Sequence, residues 1–387
     1  MGARGEIRCA AGAAREQFAV PAEIAYFNTA AISPQLHRVR AAGEAALERR
    51  GQPWAISARD WFDDAERLRA LFGGLIGADA EGVALVPAMS YGLAVAARNL
   101  RLRAGERVLV LAEEFPSGIY TWRAATAAAG ARIVTVSRPP GQTWTEAILD
   151  ALDERIRVVS VPAVHWTDGA LIDLGAVSAR SREIGARLVV DGSQSIGAMP
   201  FDVAALRPDF AVTVGYKWLL GPTGVSYLYV AEEHREGEPL EQNWIVRAHA
   251  EDFAGLVDYR DEYQPGARRF DVGQRSRFEV IPMAIAALEQ LRAWRVPAVG
   301  AALAELNQTI ARRVSELGFT PLPPGHRAGH ILGVRVPEEL RSRVVPALAA
   351  ANCFAAVRGS SLRIAPHLHV TGSDVERLIG ALGTIAG

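Results

Sequence analysis

Short runs of apolar, β-branched residues alternate with alanine-rich stretches between Gly82 and Val230. The apolar runs are GVALVPA, RVLVLAEE, ARIVTVS, IRVVSVPAV and ARLVVDG, and stretches such as SYGLAVAARNL and IYTWRAATAAAG separate them. Continuous apolar strands that alternate with helices are typical of a parallel sheet covered on both faces. The pattern therefore predicts an α/β fold with a large, doubly wound domain and a mostly parallel sheet.

The pattern changes after Val230, where the charged stretch AEEHREGEPLEQ leads into an irregular region that continues to Arg269. Beyond it, PMAIAALEQLRAW and residues 299–317 predict helices, HILGVRV and SLRIAPH predict short strands, and two further helices follow. These elements indicate a smaller α+β domain. We expect three parts: an N-terminal segment at 1–30, a large domain at 31–250 and a small C-terminal domain at 251–387.

Composition excludes several classes of protein. The chain has 387 residues, of which 50% are hydrophobic, and a formal net charge of -1. It offers no basic block for nucleic acid or anionic lipid, and no segment suited to span a bilayer. Cys9 and Cys353 are far apart and lack metal-ligand spacing, so neither a disulfide framework nor a metal site is indicated. We expect a cytoplasmic protein that binds a small molecule, and neither nucleic acid nor membrane.

Two oppositely charged residues follow apolar runs of the predicted sheet. Asp191 comes directly after residues 188–190, and Lys217 ends the run DFAVTVGYK. Ligands of α/β proteins gather at the carboxyl ends of parallel strands. For Asp191 alone, a structural or capping role is an equal alternative, whereas an uncompensated lysine beside buried sequence favours a covalent or paired role. The pair suggests pyridoxal phosphate, because its aldehyde bonds an amine and its pyridinium nitrogen binds a carboxylate.

The run that carries both residues, DGSQSIGAMPFDVAALRPDFAVTVGYKWLLGPTG, resembles the cofactor region of class V aminotransferase-fold enzymes. That family includes cysteine desulfurases, kynureninases and isopenicillin N epimerase-like proteins. FNTAAISP, AMSYG, EEFPSGIYTW, RRFDVGQRS and RGSSLRIAPHLH fall in the order expected of it, so the resemblance covers nearly the whole chain. It implies the type I fold of pyridoxal 5'-phosphate enzymes, an amino acid substrate, and a homodimer with the active site near its interface.

For the cofactor ring, the resemblance implies that Lys217 forms the Schiff base and moves the proton at the substrate α-carbon. Asp191 would keep the pyridine nitrogen protonated, and Gln194 would hydrogen-bond the phenolic oxygen. Phe115 would stack on the pyridine face. Without the resemblance, a phenylalanine at a strand end is more often part of the core.

For the cofactor phosphate, the candidates are the amides of Met89 and Ser90 and the Ser90 hydroxyl, where a helix begins. A plain helix cap is the alternative for Ser90. Tyr216 resembles the phosphate-binding tyrosine of kynureninases. Gln274 and Arg275 match a loop that in relatives reaches the phosphate of the partner subunit.

For the substrate, Arg363 matches the arginine that clamps the α-carboxylate, a role suited to a planar fork. Arg358 is a second candidate, for which a surface salt bridge is an equal explanation. Asn28 and Thr29 match the N-terminal segment that folds over the substrate. Trp166 is expected to line the site, with packing as an equal alternative.

Departures from the family bear on the activity. Cysteine desulfurases carry a nucleophilic cysteine in an extended loop before the carboxylate arginine, whereas AVRGSSLR has none, and Cys353 is expected to be a buried helix residue. The family favours an aminotransferase, and the missing cysteine argues against a persulfide-forming desulfurase. The alternatives are a lyase that cleaves a C–S or, as in kynureninase, a C–C bond, and an epimerase. A cofactor-binding protein without turnover is a remote alternative.

Overall fold

The computed structural model describes residue 12 and residues 14–386. Cys9, most of residues 1–13 of the expected N-terminal segment, and residue 387 lie outside the described residues. The strands are β1 (Ala25–Tyr26), β2 (Val83–Val86), β3 (Arg107–Leu111), β4 (Arg132–Val136), β5 (Ile156–Pro162), β6 (Arg187–Asp191), β7 (Phe210–Val214), β8 (Ser226–Val230), β9 (Thr320–Pro321), β10 (Leu332–Arg335), β11 (Cys353–Phe354), β12 (Ala356–Arg358) and β13 (Ser361–Ile364). The helices are α1 (His37–Arg50), α2 (Asp63–Ile76), α3 (Met89–Asn99), α4 (Pro116–Ala129), α5 (Trp144–Ala151), α6 (Leu174–Glu183), α7 (Val203–Leu206), α8 (Ile281–Trp294), α9 (Val296–Glu316), α10 (Arg341–Ala350) and α11 (Gly372–Ala386).

A seven-stranded sheet with the order β2-β8-β7-β6-β5-β3-β4 forms the centre of the molecule. The pairs from β4 through β3, β5 and β6 to β7 are parallel, and β8 is antiparallel to both β7 and β2. The prediction of an α/β fold with a mostly parallel sheet is confirmed. The alternation of strands and helices did not predict the reversed strand β8. It follows β7 through residues 215–225, which contain no helix, and a connection without a crossover favours an antiparallel neighbour.

Both faces of the sheet are buried, as continuous apolar strands require. Along β3, Leu109 and Leu111 pack into the core on one face, whereas Val108 and Val110 pack into the core on the other. Because β2, β3, β5, β6 and β7 run in the same direction, their carboxyl ends lie at one edge of the sheet. Among the described residues, no helix has both the length and the apolar character needed to cross a membrane.

The C-terminal part of the chain forms a second layer of structure. An antiparallel sheet has the order β12-β13-β10-β9, and β11 pairs in parallel with β1 from the N-terminal segment. The expectation that Cys353 is a buried helix residue is wrong in one respect, because Cys353 is buried but lies in strand β11. The sequence around it carries no strand-like alternation, and the partner strand β1 lies more than 300 residues away.

Helix α9 joins the two layers. Val299 and Leu303, in its N-terminal half, pack into the core of the large sheet, together with helix α8. Ile310 and Val314, in its C-terminal half, pack into the core of the small sheet. One helix is thus shared by both cores. The domain limits expected from the sequence remain predictions.

Three histidines are buried where the two layers and the N-terminal segment meet. His330 contacts the carbonyl oxygen of Gln194 through Nε2 at 2.6 Å, and His369 contacts that of Tyr26 through Nε2 at 2.8 Å. His367 lies against the rings of Phe18 and Trp218, and neither of its nitrogens has a partner among the described residues. Burial lowers the pKa of His330 and His369 to about 4 and that of His367 to about 3. All three are therefore neutral in the folded protein.

These histidines take up protons near pH 6.5 only after unfolding. They therefore leave stability unchanged above that pH and destabilise the fold increasingly as the pH falls toward 4. We expect the urea concentration at the unfolding midpoint to decrease when the pH is lowered from 6.5 to 5. His367→Leu removes one of the three groups and should make this fall smaller. His37→Leu, at an exposed position, is the control and should keep the wild-type slope. Equal slopes in all three proteins would contradict the assignment.

Candidate active site

A cavity of about 260 Å³ opens where the carboxyl ends of the parallel strands meet. Its lining residues are Pro87, Ala88, Met89, Ser90, Glu114, Phe115, Ser117, Pro162, Val164, Trp166, Asp191, Ser193, Gln194, Val214, Tyr216 and Lys217. The structure therefore brings together eight of the residues singled out in the sequence: Met89, Ser90, Phe115, Trp166, Asp191, Gln194, Tyr216 and Lys217. The other candidates, Asn28, Thr29, Gln274, Arg275, Arg358 and Arg363, do not line this cavity.

Lys217 lies three residues beyond β7, with a side chain that is buried. Its Nζ lies 5.6 Å from the centroid of the Phe115 ring and 5.9 Å from that of the Tyr216 ring. It forms no ion pair or side-chain hydrogen bond with the described residues. Burial lowers the pKa of Lys217 to about 8, with help from the charges of Arg363 and Arg358 and against the opposing effect of Asp191. The amine is thus partly neutral near physiological pH, as a nucleophile or base requires.

Asp191 is the last residue of β6 and points into the same cavity. Its Oδ1 accepts a hydrogen bond of 2.8 Å from the backbone amide of Ser193. Burial raises the pKa of Asp191, while the hydrogen bonding of Ser193 and the charge of Lys217 oppose the shift. A buried carboxylate of this kind gains stability from a cationic partner, which a protonated ring nitrogen would supply.

Gln194 is held from both ends of its amide. Nε2 donates to the carbonyl oxygen of Ala30 at 3.0 Å, and Oε1 accepts from Nε1 of Trp218 at 3.0 Å. An amide nitrogen carries two hydrogens, so one remains free to donate to a ligand in the cavity. This geometry is compatible with the role that the resemblance implies for Gln194.

Met89 and Ser90 lie in the first turn of α3, whose N-cap is Ala88. Ser90 is the second residue of the helix and not its N-cap, and the N-cap has no side-chain hydrogen bond. Ser90 is therefore not the helix cap that the alternative interpretation required. The backbone amides of a first turn are free to donate, and they favour an anion together with the helix dipole. Tyr216 lines the same cavity as Met89 and Ser90. These groups could hold a phosphate.

Phe115 and Trp166 form one wall of the cavity. Phe115 is the N-cap of α4, and its ring meets that of Trp166 edge-on, with centroids 5.6 Å apart and an angle of 86° between the planes. Trp166 donates from Nε1 to the carbonyl oxygen of Glu113 at 2.7 Å. This hydrogen bond fixes the indole against the end of β3, so both rings are positioned before any ligand binds.

Arg363, in β13, is buried next to the cavity. One Nη donates to the carbonyl oxygen of Trp166 at 2.6 Å, and the other donates to Oδ1 of Asn28 at 3.3 Å. Burial and the charge of Arg358 lower the pKa of Arg363 to about 10, which leaves it charged at neutral pH. Thr29 is buried beside Asn28, and its hydroxyl has no partner among the described residues. Asn28 and Arg363 are therefore together although 335 residues separate them.

Gln274 lies in a different depression, near Thr223 and Arg277. Arg275, its neighbour, is buried and pairs with Asp271 at 2.5 Å, and Asp271 also binds Arg69 at 2.7 Å. Arg275 therefore stabilises its own chain. A role of Gln274 toward a partner subunit remains a prediction.

Two features of the site escaped the reasoning from sequence. Glu114 lines the cavity, and its Oε1 accepts a hydrogen bond of 2.7 Å from the amide of Phe115. Nothing in EEFPSGIYTW distinguishes it from the exposed Glu113. The second feature was available in the sequence: Lys217 is the only lysine among 387 residues, whereas the chain has 41 arginines. A single lysine that is buried in a cavity is a strong functional signal.

The aminotransferase class-V family model matches residues 25–365. The chain belongs to the class V aminotransferase family. This range contains the candidate site residues from Asn28 to Arg363. The similarity to the family therefore covers the whole candidate site and is not confined to the short motifs. Pyridoxal phosphate is the cofactor of this class V enzyme.

Curated relatives of this class V enzyme differ in what their names describe. A kynureninase of Deinococcus radiodurans is 32% identical over 270 residues, which are 67% of this chain and 63% of that protein. The chain thus matches less than two thirds of that kynureninase. An uncharacterized aminotransferase of Bacillus subtilis is 27% identical, and an isopenicillin N epimerase of Streptomyces clavuligerus is 26% identical. Each of these two alignments covers 83% of this chain and 84% of the relative.

Solved structures share the class V fold at low identity. A mutant of C-DES with glycine covalently linked to its PLP cofactor superposes with a TM-score of 0.87 at 19% identity, covering 96% of this chain and 99% of that one. The apo cysteine desulfurase of Thermococcus onnurineus gives a TM-score of 0.83 at 18% identity, covering 96% and 97%. These likenesses confirm the type I fold.

The residues of the cavity fit this cofactor. The unpaired Nζ of Lys217 is the amine that an aldehyde needs, and the buried carboxylate of Asp191 lacks a cationic partner within ion-pair distance among the described residues. Phe115 offers a ring beside them, and the first turn of α3 offers amides for a phosphate. The donor set therefore matches an aldehyde-bearing, phosphorylated pyridine.

Glu114 should make the stability of the cofactor-free protein depend on pH. Burial and the charge of Asp191 raise the pKa of Glu114 to about 8, against the hydrogen bond from Phe115. Between about pH 4.5 and 8, the folded protein therefore keeps a proton that the unfolded chain releases, so this carboxyl destabilises the fold as the pH rises through that range. Glu114→Gln should remove this part of the decline in the urea midpoint. Glu113→Gln, at the exposed neighbour, should leave it in place, and equal profiles for both variants would exclude the assignment.

Proposed function

We propose that the protein is a pyridoxal phosphate-dependent enzyme that binds an amino acid and activates its α-carbon, with transamination as its reaction. The observation that carries this proposal is the single lysine, which is buried in one cavity with Phe115 and Asp191 and has no ion-pair partner among the described residues. An amine in this setting is poised for covalent attachment and for proton transfer.

Each of the site residues would have a separate role in catalysis or in binding the cofactor and the substrate. When bound, the cofactor supplies an electron sink that stabilises negative charge at the substrate α-carbon. Lys217 Nζ would remove that α-proton and return it. Asp191 would hold a proton at the ring nitrogen, and Phe115 would pack against the ring. Arg363 would bind the substrate α-carboxylate through its planar fork.

The remaining cavity residues would orient and enclose the ligands. Ser90, the amide of Met89 and Tyr216 would hold the phosphate, and the free hydrogen of Gln194 would bind the phenolic oxygen. Trp166 would shield the reacting carbon from water. Asn28 and Thr29 would cover the substrate, because they lie on the segment that touches Arg363. The homodimer, with Gln274 at its interface, and the cytoplasmic location remain predictions from the sequence.

Persulfide chemistry has little support. Cys353 is buried in β11, outside the cavity, and burial raises the pKa of its thiol to about 12. A thiolate is the nucleophilic form, so this cysteine is inert. The turn between β12 and β13 contains only Gly359 and Ser360. We therefore favour an activity other than that of a desulfurase.

A lyase reaction is the second candidate. Its support is the 32% identity with a kynureninase, together with Tyr216 in the cavity, which resembles the phosphate-binding tyrosine of kynureninases. An epimerase is the third, supported by the 26% identity with isopenicillin N epimerase. All three reactions begin with the same proton transfer by Lys217, so the cavity does not separate them.

Covalent attachment of the cofactor to Lys217 can be measured directly. We expect purified protein to absorb visible light and, after borohydride reduction, to carry one pyridoxyl group on the peptide that contains Lys217. Mass spectrometry of the intact protein and of its peptides measures this. Because the chain has no other lysine, a pyridoxyl group on a lysine side chain can be assigned to Lys217 without ambiguity.

Lys217→Arg is the matched control, since it keeps the charge but has no amine that condenses with an aldehyde. It should show no borohydride-stable adduct. A wild-type protein that stays colourless with added pyridoxal phosphate, or that is labelled only at its N-terminal amine, would overturn the proposal.

The fate of the substrate distinguishes the three reactions. With excess amino acid and no acceptor, single-turnover absorbance spectra should show conversion of the cofactor to its stable amino form, and a keto acid should appear in equal amount. Lys217→Arg should show neither. Release of ammonia or of a cleaved side chain while the aldehyde form persists would establish a lyase instead. Loss of chirality with solvent proton exchange alone would establish an epimerase.

A further inference from the structure

Strands β12 and β13 form a tight hairpin beside the cavity. Ala356 pairs with Arg363 and Arg358 pairs with Ser361, and the turn between the strands consists of Gly359 and Ser360. Gly359 has a positive φ of 55°, a conformation that suits glycine. This turn fixes the register of the hairpin, so the relative placement of its side chains follows from the pairing.

The register places Arg358 and Arg363 on the same face of the hairpin. Residues that pair directly across two strands share a face, and side chains two positions apart on one strand do so as well. Arg358 is therefore the diagonal neighbour of Arg363, at a separation of roughly 7–8 Å. Its guanidinium carbon lies 5.9 Å from the centroid of the Trp166 ring, which lines the cavity.

Among the described residues, neither Arg358 nor Arg363 has a carboxylate partner. No carboxylate lies within 4.0 Å of either guanidinium in the part of the chain that the structure describes. Arg363 donates to an amide oxygen and a carbonyl oxygen, and the acceptor that Arg358 has among the described residues is the carbonyl oxygen of its neighbour Val357. The surface salt bridge that would explain Arg358 is thus not formed. By contrast, the buried Arg69 and Arg275 both pair with Asp271.

The positive charges of Arg358, Arg363 and Lys217 repel one another. Arg358 lowers the pKa of Arg363, and both arginines lower the pKa of Lys217. One substrate α-carboxylate can compensate one guanidinium. After it binds Arg363, the guanidinium of Arg358 remains half-buried beside the ring of Trp166, with no anion near it among the described residues. A second anionic group on the substrate would compensate it.

We propose that Arg358 binds a carboxylate on the substrate side chain, so that the enzyme acts on amino acids that carry a second carboxylate. This proposal rests on the proposed function for the α-amino group and α-carboxylate. It adds that Arg363 and Arg358 each bind one carboxylate. Trp166, which contacts both arginines, would separate the two anionic groups of the substrate.

The test uses ligands that cannot react, because they lack an amino group. Succinate and glutarate carry two carboxylates, and their monoamides, succinamate and glutaramate, have nearly the same shape with one charge fewer. Calorimetric titration of the cofactor-loaded protein measures their dissociation constants without turnover. We expect the preferred diacid to bind roughly tenfold or more tightly than its monoamide.

Arg358→Gln should abolish this preference and leave the dissociation constant of the monoamide within about twofold of the wild-type value. Arg358→Lys should keep part of the preference, since it retains the charge. Arg343→Gln, an exposed arginine on α10, should behave as wild type. Together these variants distinguish loss of one contact from loss of the folded site.

Equal binding of diacid and monoamide by the wild type would overturn the role of Arg358, as would equal weakening of both ligands in Arg358→Gln. Either result leaves the proposed function intact if borohydride still labels Lys217. Failure to label Lys217 would instead remove the proposed function, whatever the diacid titration shows.

Discussion

The burial of one amine, Nζ of Lys217, is the constraint on which the site depends. Removing an ammonium group from water costs several kcal/mol unless an opposite charge compensates it. Here the carboxylate of Asp191 acts from beyond ion-pair distance, so the pKa of Lys217 settles at about 8. The amine is therefore held close to the balance between its charged and neutral forms, which suits both bond formation and proton transfer.

The backbone around Lys217 explains why this costly position persists. Gly215 donates to Val225 at 2.9 Å, and Gly221 donates back to Gly215 at 2.8 Å, which closes the loop that carries the lysine. A Cβ at Gly215 would meet the carbonyl oxygen of Val225 at 2.5 Å. Only glycine fits there, so the tight return of the backbone around Lys217 depends on Gly215. Packing of the neighbouring Trp218, which is fully buried, fixes it further.

The sequence predicted the parts of the site that follow from strand ends. Buried parallel strands are visible as continuous apolar runs, so Asp191, at the end of β6, and Lys217, just beyond β7, could be assigned to one edge of the sheet before the structure was known. The roles of Ser90, Gln194 and Phe115 came from the resemblance to a family. Their contacts in the structure agree with those roles without testing them.

Other parts could not be predicted because they depend on contacts between distant segments. The bond between Asn28 and Arg363 joins residues 335 positions apart, and no local pattern encodes it. Cys353 forms a strand only because β1 passes beside it. The burial of Glu114, next to an exposed glutamate, depends on how α4 begins. Local periodicity specifies which elements form, whereas tertiary packing decides which polar side chain lies inside.

The arrangement around Arg363 shows how the substrate carboxylate could be recognised with little reorganisation. A guanidinium has five N–H groups, and in the structure two of them are used, toward Trp166 and Asn28. Nε has no partner among the described residues, although it is buried. A carboxylate can therefore bind the remaining hydrogens while the two existing bonds continue to orient the fork. Because those bonds reach the wall of the large sheet and the N-terminal segment, the clamp is positioned by both before the substrate arrives, which reduces the entropy that binding must offset.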